Sequence, residues 1–198
     1  APAEFMRLLM DEYGLEWVDA WNTTVKTMSY TNHTILSEAL EKWDAELFKN
    51  VLPRVYQIIL EIDNRYVTEM ASRGIAPQVI ENTRIVKDNQ IHMAHLAIIG
   101  GHSVNGVAKL HTELLKEDTL RDFYAIYPEK FNNKTNGIIQ RRWLQIADEP
   151  LSAEIDRLIG KGWRSDIHEL RKLLEFKDDQ QVLGDFYRVK QEAKARLA

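Results

Sequence analysis

Three short stretches hold the side chains best suited to chemistry: Tyr30-Thr31-Asn32-His33-Thr34, His102-Ser103-Val104-Asn105-Gly106-Val107, and Phe131-Asn132-Asn133-Lys134-Thr135-Asn136-Gly137-Ile138. Their amides, imidazoles and hydroxyls donate and accept hydrogen bonds without net charge, which suits a ring of hydroxyls such as a sugar. Each neutral bond contributes about 0.5–1.5 kcal/mol, so recognition by such groups needs several of them to converge. Each stretch falls at an element boundary, where side chains can face a cleft. Taken by chemistry alone, Asn-rich boundaries of this kind are first of all turns.

Other clusters carry less. His92 and His95 stand three apart, with His102 and His111 nearby. On a helix the first two would share a face fit for zinc; on a strand, the reading adopted here, they point to opposite faces. With no carboxylate partner evident, no metal is expected. Arg141-Arg142-Trp143 reads as a solvated helix start before it reads as a phosphate site, and Trp17, Trp21 and Trp43 fall on helical stripes that argue for core positions. Asn22, Asn32 and Asn133 match the glycosylation acceptor pattern by chance, since no secretory signal precedes them.

Composition narrows the field. With 198 residues, 44% of them hydrophobic, the chain can bury a core of its own. A net charge of −4 with mixed signs leaves no basic footprint for nucleic acid. Apolar runs are too short to span a bilayer, so no membrane partner is expected. Cysteine is absent, which fits a reducing, cytoplasmic setting. Helical patterns run up to both termini, so the chain reads as a piece of a longer polypeptide.

The elements that must position these stretches are mostly helical. Phe5, Leu8 and Leu9 start an amphipathic helix that Gly14 closes; Val18, Trp21, Val25 and Met28 mark a second. Leu36 to Trp43 predicts a short third. Pro53 belongs at a helix start, and the stripe Val55, Ile58, Ile59, Ile62, Tyr66 carries that helix to Gly74. Residues 75–90, with Pro77 and Asp88-Asn89, read as irregular. The glycine-bounded apolar run Ile91 to Ile99 predicts a buried strand, and a second short strand is expected around Phe131 to Thr135. Gly106 precedes a helix bearing Val107, Leu110 and Leu114-Leu115. Four helices follow, at Arg141–Ala147, Ala153–Ile159, Asp166–Phe176 (capped by Ser165) and Gln180–Leu197. The chain is thus expected to be mainly α with two short buried strands, a single partial domain over 1–198.

The three polar stretches resemble the sugar-recognition half of the α-glucan phosphorylases, the glycogen, starch and maltodextrin phosphorylase family. The similarity runs from Phe5-Met6-Arg7 through Leu52-Pro53-Arg54 and Gln57-Ile58-Ile59 to Phe131-Asn132-Asn133-Lys134. It implies a segment from the later part of the α/β N-terminal lobe of a two-lobed, GT-B-type glycosyltransferase. The parent enzyme would release glucose 1-phosphate from α-1,4-glucans with inorganic phosphate. By that resemblance His33 bonds the glucosyl 6-hydroxyl and Asn136 the 4- and 6-hydroxyls. Thr34 and Ala39 flank the pocket's β-face channel, and Val107 supplies an apolar contact. His102 matches a signature histidine without an assigned contact.

The family's cofactor is pyridoxal phosphate, and its attachment lysine falls outside this chain. No catalytic, cofactor-binding or metal-binding residue is therefore expected here, and the 198-residue chain alone is expected to be inactive. The family is allosteric and its members form homodimers; the chain's other expected partner is the remainder of the phosphorylase. Departures from the family pattern are Ser37, Asp44 and Gly101, and Ile139-Gln140 where Thr-Pro is common. None removes a proposed sugar ligand. The competing reading is a stand-alone helical interaction module that keeps these stretches only as turns.

Overall fold

A computed structural model describes residues 1–197. The chain forms two compact units, Ala1–Asn136 and Gly137–Ala198. In the first, α1 (Pro2–Arg7) runs on through a wider turn, Leu8–Glu12, to Gly14, whose φ of 70° closes it. Then come α2 (Trp17–Thr27), β1 (Ser29–Thr31), β2 (Lys42–Asp44), α3 (Ala45–Val51), α4 (Pro53–Ser72) and α5 (Pro77–Thr83). β3 (Val86–Lys87), β4 (Gln90–His92), α6 (Met93–Ile99), β5 (Ser103–Gly106), α7 (Lys109–Leu114), α8 (Arg121–Ile126) and β6 (Phe131–Asn133) complete it. Among the described residues the protein is mostly helical, with six short strands rather than two.

α4 is the spine. Pro53 opens it where its missing amide hydrogen costs nothing, and Gly74 at φ 74° ends it. Ile75 N–H bonds the Met70 carbonyl at 3.1 Å and Gly74 N–H the Ala71 carbonyl at 3.0 Å, so the last carbonyls are satisfied. Val55, Ile58, Ile59, Ile62, Tyr66 and Met70 are buried along one stripe, against Met6 of α1 and Leu96, Ile98 and Ile99 of α6. One charge lies in that stripe. Asp63, 1% exposed, accepts N–H bonds from Ile85 at 2.6 Å and Val86 at 3.3 Å, and the Arg84 guanidinium at 2.8 Å.

That carboxylate explains why residues 75–90 are ordered rather than irregular. α5 is only two turns long, too short to show a period in sequence, but Tyr66 Oη donates to Thr83 Oγ1 at 2.7 Å and Asp63 holds the chain that follows. Asp88 and Asn89, at φ 50° and 55°, form the two-residue turn that pairs β3 with β4. β2 joins the other edge of β4, giving the antiparallel order β2-β4-β3. The expected strand Ile91–Ile99 is therefore corrected: the strand ends at His92, and Met93–Ile99 is helix. A run buried on all sides carries no period, and its Met, Ala and Leu favour helix. The helix expected over Leu36–Trp43 is likewise replaced by a single tight turn, Ser37–Ala39, and β2; Trp43 is 42% exposed and not core. Asp44 caps α3 by accepting the Leu47 N–H at 2.8 Å.

The second sheet is parallel, in the order β1-β5-β6, with Thr31 opposite Asn105 and Asn105 opposite Asn132. β1 and β5 had no counterpart in the sequence reading. Parallel neighbours require long crossovers, here everything from Asn32 to His102 and then α7 with α8.

The second unit is helical: a wide turn Arg141–Ile146, α9 (Glu149–Ile159), a 3₁₀ segment Ile167–Phe176 and α10 (Gln180–Leu197). Trp163 is fully buried in it and donates Nε1–H to Asp156 at 3.0 Å. Gln140 is buried and donates from Nε2 to the Trp163 carbonyl at 3.2 Å. Asp166, not Ser165, caps the 3₁₀ segment through His168 N–H at 2.9 Å.

Candidate functional site

The three polar stretches follow the C-terminal ends of the three neighbouring parallel strands. Asn32, His33 and Thr34 leave β1, Val107 leaves β5, and Lys134 to Asn136 leave β6. In open parallel sheets this edge is where ligands lodge, because the chain turns away there and leaves a crevice. His33, Thr34 and Ala39 line one cavity of about 390 Å³, with Tyr30, Glu41, Met93 and Leu96 among its other walls. That size accommodates a small polar ligand. His33 and Ala39 are exposed and Thr34 is half-buried. Val107 and Asn136 lie outside this lining; Val107 is half-buried and Asn136 exposed. A larger hollow, about 700 Å³, is walled mainly by Trp43, Phe48, Val51, Leu52 and Val55 and lacks convergent neutral polar groups.

The asparagines divide by role. Asn32 is 1% exposed, and its Oδ1 accepts Thr34 N–H at 2.9 Å while its Nδ2 donates to Tyr30 Oη at 3.1 Å. Its own N–H reaches the Asn105 carbonyl at 2.9 Å. Asn105 Nδ2 donates to the Gly106 carbonyl, and its Oδ1 accepts from Thr31 Oγ1 at 2.9 Å. Asn132 Nδ2 donates to Ser103 Oγ at 2.8 Å, and Asn133 bonds Thr112 and Thr135, each at 2.9 Å. These four amides are spent on holding the strand ends together. His33 and Asn136, by contrast, are exposed.

Among the described residues no group of three or more His, Cys, Asp or Glu is placed to hold a metal ion. His92 and His95 do meet, contrary to the opposite-face expectation, because the helix begins between them; their rings lie 4.8 Å apart. His95 Nδ1 sits 2.8 Å from the Arg84 carbonyl, so that nitrogen carries the proton, and its ring packs edge-on against Phe123 at 5.0 Å. Burial pushes His95 down to about 4, with the Arg84 carbonyl bond opposing.

A free histidine binds its proton near 6.5, so between pH 6.5 and 4 the unfolded chain holds a proton that the folded one refuses. Stability should therefore fall as pH drops through that window, by about 2–3 kcal/mol from this group, and level off below it. Urea unfolding of wild type and His95→Gln at pH 7 and pH 4.5 measures the difference. The glutamine keeps a donor for Arg84 and never titrates, so equal pH slopes for the two proteins would refute the assignment.

Pyridoxal phosphate requires an accessible lysine amine beside a phosphate cradle. Lys130 is held down to about 8 by burial, but its Nζ donates to the Ile98 carbonyl at 3.0 Å and lies over the Tyr127 ring at 4.2 Å. The hollow it borders is walled by Trp17, Trp21, Arg65, Tyr66 and Glu69, and Arg65 is engaged by Glu61 at 2.6 Å and by the Trp17 ring at 4.6 Å. Arg141 and Arg142 are exposed; Arg141 reaches the Arg164 carbonyl at 3.5 Å, so the pair belongs to a solvated helix start.

A family model described as carbohydrate phosphorylase matches residues 1–198. The chain is 47% identical over 199 residues to the glycogen phosphorylase of Bacillus subtilis (strain 168), covering all of this chain and 25% of that protein. It is 45% identical over 201 residues to the muscle-form glycogen phosphorylases of Ovis aries and Homo sapiens, covering 98% of this chain and 24% of each. It thus spans about a quarter of the length of the curated relatives it matches.

Proposed function

Because the chain belongs to the carbohydrate phosphorylase family, we propose that it is the glucosyl-recognising part of an α-glucan phosphorylase. The parent reaction transfers the terminal α-1,4-linked glucosyl unit of a glucan to inorganic phosphate. His33 and Asn136 hold the hydroxyls of that unit, Thr34 and Ala39 flank it, and Val107 gives an apolar contact. The segment belongs to the N-terminal lobe of a GT-B-type enzyme that works as a cytoplasmic homodimer. Pyridoxal phosphate, which residues outside this chain would hold, would supply acid/base chemistry toward the substrate phosphate; the chain alone would carry no phosphorolysis.

What supports this reading is one observation: the stretches bearing His33, Val107 and Asn136 leave the same edge of one parallel sheet. A sugar there would be held by neutral donors and acceptors, and its positioning rather than its bond-breaking would be this segment's task. Fixing a reactant in that manner contributes several kcal/mol to catalysis in favourable cases, on the order of 7–11 at the limit. A stand-alone interaction module has no comparable support, since the asparagines that would serve as mere turns are accounted for separately from His33 and Asn136.

In the full polypeptide that carries this sequence, His33→Ala and Asn136→Ala should each lower kcat/KM for glucan phosphorolysis about tenfold to a hundredfold. Glucose 1-phosphate release at varied glucan concentration is the measurement. Wild-type kinetics in both variants would end the assignment.

A further inference from the structure

One side chain joins the loops that leave β1 and β5. His111, in the first turns of α7, is half-buried between the loop after β5 and the loop after β1. Its Nδ1 accepts the Val107 backbone N–H at 3.1 Å, and its Nε2 lies 3.2 Å from Asn32 Oδ1. A backbone N–H can only donate, so Nδ1 must be a bare lone pair. The orientation of the Asn32 amide is settled in the same way, because its Oδ1 also accepts the Thr34 backbone N–H at 2.9 Å. Nε2 therefore carries the single proton, and both lone pairs of Asn32 Oδ1 are filled. One neutral imidazole in one tautomer thus ties Val107 to the turn that presents His33 and Thr34.

The local sequence makes room for this. A Cβ on Gly106 would stand 2.5 Å from Thr112 Oγ1 and 3.1 Å from His111 Nδ1, so only glycine lets α7 approach β5 closely enough. A helical side chain leans back toward the N-terminus, which is how position 111 reaches the amide at 107.

We propose that His111 is a positioning residue for glucosyl recognition, clamping the β1 and β5 loops in fixed register through its Nε2–H tautomer. It does not itself touch the sugar. This rests on the glucosyl reading above, so the experiment has two arms that fail separately. In the first, long-range ¹H–¹⁵N spectra of the 198-residue chain report the His111 nitrogens without any ligand. A pyrrole-type Nε2 with a pyridine-type Nδ1 is expected; the Nδ1–H tautomer or the imidazolium overturns the clamp whatever the protein binds.

In the second arm, the full polypeptide is assayed with maltoheptaose and phosphate as His111→Ala, His111→Gln and His33→Ala. His111→Ala should lose about tenfold in kcat/KM. His111→Gln should regain part of that, because its amide N–H can still reach Asn32 Oδ1. Loss in His33→Ala with none in His111→Ala overturns the positioning role and leaves the glucosyl reading standing. No loss in either overturns both. A His111→Ala enzyme that is less stable to urea but kinetically unchanged also overturns the proposal, since that is what mere packing predicts.

Discussion

Replacing Asp63 with alanine should cost about 3–5 kcal/mol of stability, because it strips the only buried carboxylate of α4 from three donors at once. The Ile85 N–H lies in the interior and has no water to turn to; Arg84 loses its closest counter-charge. The segment 84–86 would then lose its anchor to α4, and β3 with it. Asp63→Asn should fall between, since it keeps one acceptor oxygen but cannot serve both the backbone and the guanidinium. Urea titration gives the free energies, and amide exchange at Ile85 and Val86 gives the locality. A loss under about 1 kcal/mol for the alanine variant would mean that the carboxylate is not the anchor.

Asn32→Ala is expected to be nearly as severe, at about 2–4 kcal/mol, and more damaging to the site. The side chain is buried at the end of β1, and alanine would orphan the Thr34 N–H, the His111 Nε2–H and the Tyr30 hydroxyl together. The turn carrying His33 would lose its fixed direction while β1 keeps its pairing with β5. Exchange of the Thr34 amide should accelerate far more than that of Val104, the buried centre of the same sheet. Uniform acceleration across both would show global loosening instead and would remove Asn32 from the site's design.

These two residues also show where sequence reading stops. Pro53, Gly74 and Gly14 were legible because each has one cheap conformational use, and the α4 stripe was legible because it repeats from Val55 to Tyr66, about three turns. β6 was readable from its turn-rich flanks. β1 and β5 were not: three or four residues such as Ser29-Tyr30-Thr31 carry no period, and their pairing is decided by a partner more than seventy residues away. The same holds for α6, whose burial on all sides hides its repeat. At the site, the three stretches were visible as clusters of amides, but the division of labour among them was not. Asn32 and His33 are adjacent and equally polar; one is sealed in and the other faces out, and only the sheet edge decides which. His111 stands in the sequence as one of four neighbouring histidines, with no signal there that it would reach both loops.

The web at the strand ends is built from Thr31, Asn32, Asn105, His111, Thr112 and Asn133, joined by dipoles rather than by ions. Dissolved salt shortens the reach of exposed charges to about 8 Å at physiological ionic strength, but it has little purchase on paired neutral groups. Surface pairs such as Arg54 with Asp11 at 2.6 Å will therefore slacken as electrolyte is added, while the shape of the cleft edge stays as it was. A hydroxyl-rich ligand seated there would meet the same contours in dilute buffer as in a concentrated cell interior.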